Sequence, residues 1–86
     1  VAETLAQLGL REGERVRFRR KPDARWQEGA AVALERDGSL GVRDGKGASR
    51  AIPLELVEVR ATGPRGGAGW EPLLDRAARI EQLRLL

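Results

Sequence analysis

The chain has 86 residues, 34% of them charged, with a formal net charge of +3 and no cysteine or histidine. That length makes one domain. Without cysteine there is no disulfide, thiolate metal site or Cys nucleophile, and without histidine the commonest general base and metal ligand is missing.

The enzyme classes this excludes are broad. Thr4, Ser39, Ser49 and Thr62 have no imidazole to activate them, and Asp37 and Asp44 sit in glycine turns where Asp serves the backbone. No catalytic residue, metal site or cofactor is expected, and the chain reads as a binding module. No stretch approaches the ~20 apolar residues of a membrane helix. No basic segment followed by a long apolar one opens the chain, so a cytoplasmic location without a leader is expected. A start at Val1 fits a processed product or the C-terminal piece of a longer protein. The basic excess comes from fourteen Arg against two Lys, a skew that a GC-rich genome also produces.

Residues 1–10 end in "ETLAQLGL", with Leu5 and Leu8 three apart and Gly9 at the stop, which predicts a short amphipathic helix of two turns. From Gly13 the period becomes two. "ERVRFRR" puts Val16 and Phe18 on one face and Arg15, Arg17 and Arg19 on the other. "GAAVALE" at 29–35 sets Val32 and Leu34 together, and "SLGVRD" does the same for Leu40 and Val42. A three-residue loop, Arg36-Asp37-Gly38, pairs Leu34 with Leu40 and Val32 with Val42, so every apolar side chain shares one face. Ala33 then meets Gly41, leaving a strip of small residues. "DGKG" at 44–47 allows a second three-residue loop ending in Gly47, at the cost of placing Arg50 on the core face near Val42.

"SRAIPLELVEVR" places Ile52 before a 3₁₀ turn at Pro53-Leu54-Glu55, followed by Val57 and Val59 against Glu58 and Arg60. Five short strands with such a step before the last close most economically as a bent barrel over 11–60. Residues 61–69, "ATGPRGGAG", read as a flexible linker. A helix and tail over 70–86 follow, with Pro72 at the first helical position, Leu73, Ala77, Ile80 and Leu83 as the apolar stripe, and Asp75 to Arg79 as an i, i+4 pair. Trp70 is expected to pin this helix to the body, against the Ala31, Ala33 and Gly41 strip.

The stretch "GERVRFR" followed by "RWQEGAAVALERDGSLGVRDGKGASRAIPLELVEV" resembles the SH3-like, Tudor-like small barrels. The likeness lies in the Trp26 that precedes the second strand, the acidic-glycine hairpin and the apolar-Pro step. It implies a mainly β fold, a five-stranded barrel flanked by a short N-terminal helix and a C-terminal helix. Tudor domains that read methylated side chains use several aromatics around the cation. Phe18 and Trp26 cannot assemble such a cage, so methyl-lysine or methyl-arginine reading is not expected.

Two functional surfaces follow. Residues 11–25 carry seven basic and three acidic side chains. Their bland reading is a solvated strand face. Their sharper reading is a phosphate-facing surface of Arg15, Arg17, Arg19, Arg20, Lys21 and Arg25 for DNA or RNA, with Trp26 free to stack on a base. The last five residues resemble the pentapeptide by which bacterial replication and repair proteins bind the sliding clamp: Gln82, Leu83 and Leu85 match, and Leu86 stands where Phe is preferred. The resemblance implies an accessory module of DNA replication or repair. In the competing reading Ile80, Leu83 and Leu86 extend the helical stripe onto the barrel. The main functional alternative is a protein-interaction or assembly domain with no nucleic-acid role.

Overall fold

The computed structural model describes residues 4–62 and 68–84. The alternating segment forms β1 (Arg15–Phe18), with Val16 and Phe18 fully buried. It is followed by β2 (Gln27–Leu34), β3 (Leu40–Asp44) and β4 (Ser49–Ile52). A 3₁₀ turn at Leu54–Leu56 turns the chain into β5 (Val57–Thr62), which returns beside β1. β6 (Ala68–Pro72) pairs with β5 and leads directly into α1 (Leu73–Arg84). All pairings are antiparallel, and the strands form one open sheet in the order β4-β3-β2-β1-β5-β6.

The expected mainly β class therefore stands, and the five-stranded closed barrel is corrected to six strands in an open sheet. The cause lies in residues expected to be linker. Ala61 pairs with Gly69 and Thr62 with Ala68, so β6 occupies the edge of β5 that closure onto β4 would need. Residues 63–67 lie outside the described residues. The two-turn N-terminal helix is a single 3₁₀ turn, Leu5–Leu8, stopped as expected by Gly9 at φ +77°. Pro72 is the last strand residue rather than the first helical one.

Both hairpins follow the loop lengths read from the sequence. In the first, Glu35 N donates to the Ser39 carbonyl at 2.8 Å and Gly38 adopts φ +90°. In the second, Asp44 N donates to the Ala48 carbonyl at 2.9 Å, and Val42 faces Arg50. That Arg is tolerated because its Nε donates to Asp44 Oδ2 at 3.0 Å. The Val32–Val42 pair is corrected. A bulge between Ala31 and Ala33 places Ala31 opposite Val42 and leaves Val32 exposed, while Leu34–Leu40 and Ala33–Gly41 pair as expected.

The core sits on one face of the sheet: Val16, Phe18, Ala31, Leu40, Val42, Ile52, Val57 and Val59. The N-terminal turn contributes Leu8 and Leu10, the 54–56 turn Leu56, and α1 the fully buried Leu73, with Ala77 packed alongside. Arg76 of α1 ties these pieces together. Its Nη1 donates to Glu14 Oε2 at 2.6 Å and to the Gly9 carbonyl at 3.2 Å, its Nη2 to the Arg60 carbonyl at 2.5 Å, and its Nε to Glu71 Oε1 at 3.3 Å. The expected Asp75–Arg79 pair gives way to a fork from Arg79 to both Glu71 oxygens, at 2.7 and 2.9 Å. The fork sets two parallel N–H···O bonds on one carboxylate, the arrangement a planar guanidinium matches best.

Leu83 is 65% exposed, so the stripe does not extend onto the body at that residue. Leu73→Ala is expected to cost about 2–5 kcal/mol in urea denaturation, and Leu83→Ala less than about 0.5 kcal/mol. A large loss at Leu83 would place the tail in the core. The Arg79 fork, with Arg76 behind it, holds the Glu71 carboxyl below its ordinary value of 4.5. A carboxyl depressed in the folded state stabilises above its unfolded value, and the gain disappears as pH falls through the folded one. Wild type should thus lose stability relative to Glu71→Gln below about pH 4.5, and parallel profiles would refute the anchoring role.

Candidate nucleic-acid interface

The face of the sheet opposite the core is built by the same alternation. Arg17 stands opposite Glu28 on β2 and Glu58 on β5, and Arg60 stands opposite Trp70 on β6. Trp26 immediately precedes β2. Side chains directly across an antiparallel pair lie close enough to interact, and here they form a row. The Arg19 guanidinium carbon lies 4.2 Å from the Trp26 ring centroid and that of Arg17 lies 4.4 Å from it. The Arg17 carbon is also 5.1 Å from the Trp70 centroid, as is that of Arg60. The row thus runs Arg19, Trp26, Arg17, Trp70, Arg60, cations alternating with indoles.

The charges along this row are unequal. Arg17 donates from Nε to Glu58 Oε1 at 2.7 Å and from Nη2 to the same oxygen, so its charge is matched within the half-buried cluster. Arg15 meets Glu28 only at 3.8 Å, with both side chains well exposed, a contact of little energetic weight. Among the described residues no carboxylate lies within ion-pairing distance of Arg19, Arg20, Lys21, Arg25 or Arg60. Arg20, Lys21 and Arg25 are exposed on the loop between β1 and β2. Arg43 extends the basic surface, since it stands opposite Ala30 on β3 and is exposed.

The structure therefore brings Arg17, Arg19 and Trp26 together and leaves Arg15 at the margin and Arg20, Lys21 and Arg25 on the adjoining loop. It alters two expectations. Trp26 is not a bare platform, because two of the chain's own guanidinium groups lie over its ring. Trp70 does not pin α1 through the Ala31, Ala33 and Gly41 strip; it stands half-buried on the outer face between Arg17 and Arg60. Trp26, Trp70 and Glu58 surround a single cation, and that cation is Arg17 itself.

Arg60 and Trp70 of the row, and Glu58 beside it, were not expected at this site from the sequence. The parity of "VEVR" already placed Glu58 and Arg60 away from the core. Trp70 gave no such signal, because "GAGWEP" lacks alternation and follows a glycine-rich run.

Asp37 and Asp44 have structural work in the turns. The Ser39 hydroxyl, at 2.6 Å, and Ser39 N, at 3.0 Å, both donate to Asp37 Oδ1 and hold that carboxyl below its ordinary value. Arg50, with Ala48 N and Lys46 N, does the same for Asp44. Among the described residues no three His, Cys, Asp or Glu side chains converge as a metal site, and no helix is long and apolar enough to cross a membrane. At the other end of the chain, Gln82 and Leu83 are exposed on the last turn of α1, and Leu85 and Leu86 lie outside the described residues. Comparisons with family models, curated proteins and solved structures find no match for the chain.

Proposed function

We propose that the chain is a non-enzymatic accessory module of bacterial DNA replication or repair. In this reading it is an elaborated SH3-like unit whose outer face takes up nucleic-acid phosphates, and residues 82–86 are a peptide for the sliding clamp. The fold part is supported by the run β4-β3-β2-β1-β5, with a 3₁₀ turn just before β5 and β5 lying beside β1. On that reading β6 and α1 are additions at the β5 edge.

The nucleic-acid part is carried by one observation, the unequal neutralisation of the outer face. Arg17 is matched by Glu58, whereas Arg19 and Arg60 at the two ends of the row have no carboxylate partner among the described residues, and Arg20, Lys21 and Arg25 follow Arg19 on the exposed loop. A guanidinium presents paired N–H groups that suit bidentate contact with phosphate oxygens. The clamp part is supported by the exposure of Gln82 and Leu83. The final helical turn carries little packing there, so unwinding it into an extended peptide for a groove costs little.

Affinity for a short oligonucleotide, followed by fluorescence anisotropy, is expected to fall linearly on a log–log plot against salt. Arg60→Ala should reduce the slope by about one unit. No binding at low salt would leave the protein-assembly reading. For the tail, Gln82→Ala should weaken capture by an immobilised bacterial sliding clamp with the melting temperature unchanged. Equal capture of variant and wild type would remove the clamp from the proposal.

A further inference from the structure

Arg19 and Arg17 share the Trp26 ring on different terms. Arg17 is fixed by Glu58 and touches a second indole. Among the described residues Arg19 has no carboxylate, and its buried Nε has no hydrogen-bond partner. A buried N–H left unpaired carries a desolvation cost of the same order as what a guanidinium gains from lying over a ring. Arg19 is therefore the weakly held member of the row. Arg60, at the other end, is exposed, so water reaches its polar atoms and its displacement relieves nothing.

We propose that Arg19 is a displaceable cover on Trp26 and that the ligand of this face is a single strand, one of whose bases takes the place of Arg19 on the indole. The inference rests on the nucleic-acid reading above and specifies the form of the ligand. Both halves of the exchange are favourable. The base stacks on an aromatic face, and the released guanidinium donates all of its N–H groups, Nε included, to phosphate and water. A duplex cannot make the exchange without unstacking, because its base faces are already covered by neighbouring pairs. Arg20, Lys21 and Arg25, exposed on the loop that joins Arg19 to Trp26, supply further positive charge for the backbone of the strand that delivers the base.

The test uses the full chain labelled with fluorotryptophan, which gives one ¹⁹F resonance for each of Trp26 and Trp70, assigned with Trp70→Phe. Titration with oligothymidylate should shift the Trp26 resonance much further than that of Trp70. The single strand should bind about tenfold more tightly than a duplex of equal length. Arg19→Lys retains the charge but loses the planar stack, and should bind the single strand at least as well as wild type. A duplex that binds as tightly as the single strand, or a single strand that binds with the Trp26 resonance unmoved, would overturn the proposal. Absence of binding by both polymers at low salt would instead overturn the nucleic-acid reading on which it rests. The wild-type titration decides the matter even if Arg19→Lys does not fold.

Discussion

The structure depends on covering one face of a small open sheet. A sheet with a single apolar face needs a second layer, and this chain has few residues to supply it. Leu73, at the start of α1, and Leu8 and Leu10, around the N-terminal turn, are that layer. Neither element is long enough to hold its place by helix propensity alone. Arg76 compensates by bonding at once to the Gly9 carbonyl, Glu14, the Arg60 carbonyl and Glu71. Gly9 makes the close approach possible: a Cβ there would stand 3.0 Å from Ile80 Cγ1, and its φ of +77° already disfavours a side chain.

The same arrangement positions the outer face. β6 extends the sheet beyond β5, and its short run into α1 places Trp70 opposite Arg60 while Leu73 enters the core. One side of the β6–α1 segment therefore completes the hydrophobic layer, and the other completes the row of cations and indoles. Glu58 matches the Arg17 charge, and both indoles lie close to its guanidinium. Arg19 lies over Trp26 with no carboxylate partner among the described residues. That inequality, more than the total positive charge, is what gives the surface a direction and a weakly held end.

Much of this was legible from local pattern. The alternation around Val16 and Phe18, the loop lengths set by Gly38 and Gly47, and the 3₁₀ step after Pro53 all depend on neighbours a few residues apart. Val32 escaped that logic because a bulge shifts parity by one residue and nothing in "GAAVALE" marks where it falls. Trp70 escaped it because "ATGPRGGAGW" has the composition of a linker, yet its two ends pair with each other, Ala61 with Gly69 and Thr62 with Ala68, and so carry β5 on into β6. Arg79 chose Glu71 over Asp75 for a similar reason, since the preferred carboxylate is presented by a neighbouring strand rather than by the next turn.

By itself the sequence determined the class of fold, the inward and outward faces of β1, β3 and β5, and the concentration of basic side chains between Arg11 and Arg25. Those features follow from backbone periodicity and from turn residues with restricted conformations, both of which act locally. Only the tertiary structure decided that the described residues form six strands in an open sheet, that Trp70 joins Trp26 around Arg17, and that Arg19 lies over Trp26 with no carboxylate partner among those residues. Glu58 and Trp70 reach Arg17 only because β5 lies beside β1 and carries β6 with it, and such a meeting of distant segments is settled by packing rather than by any local preference.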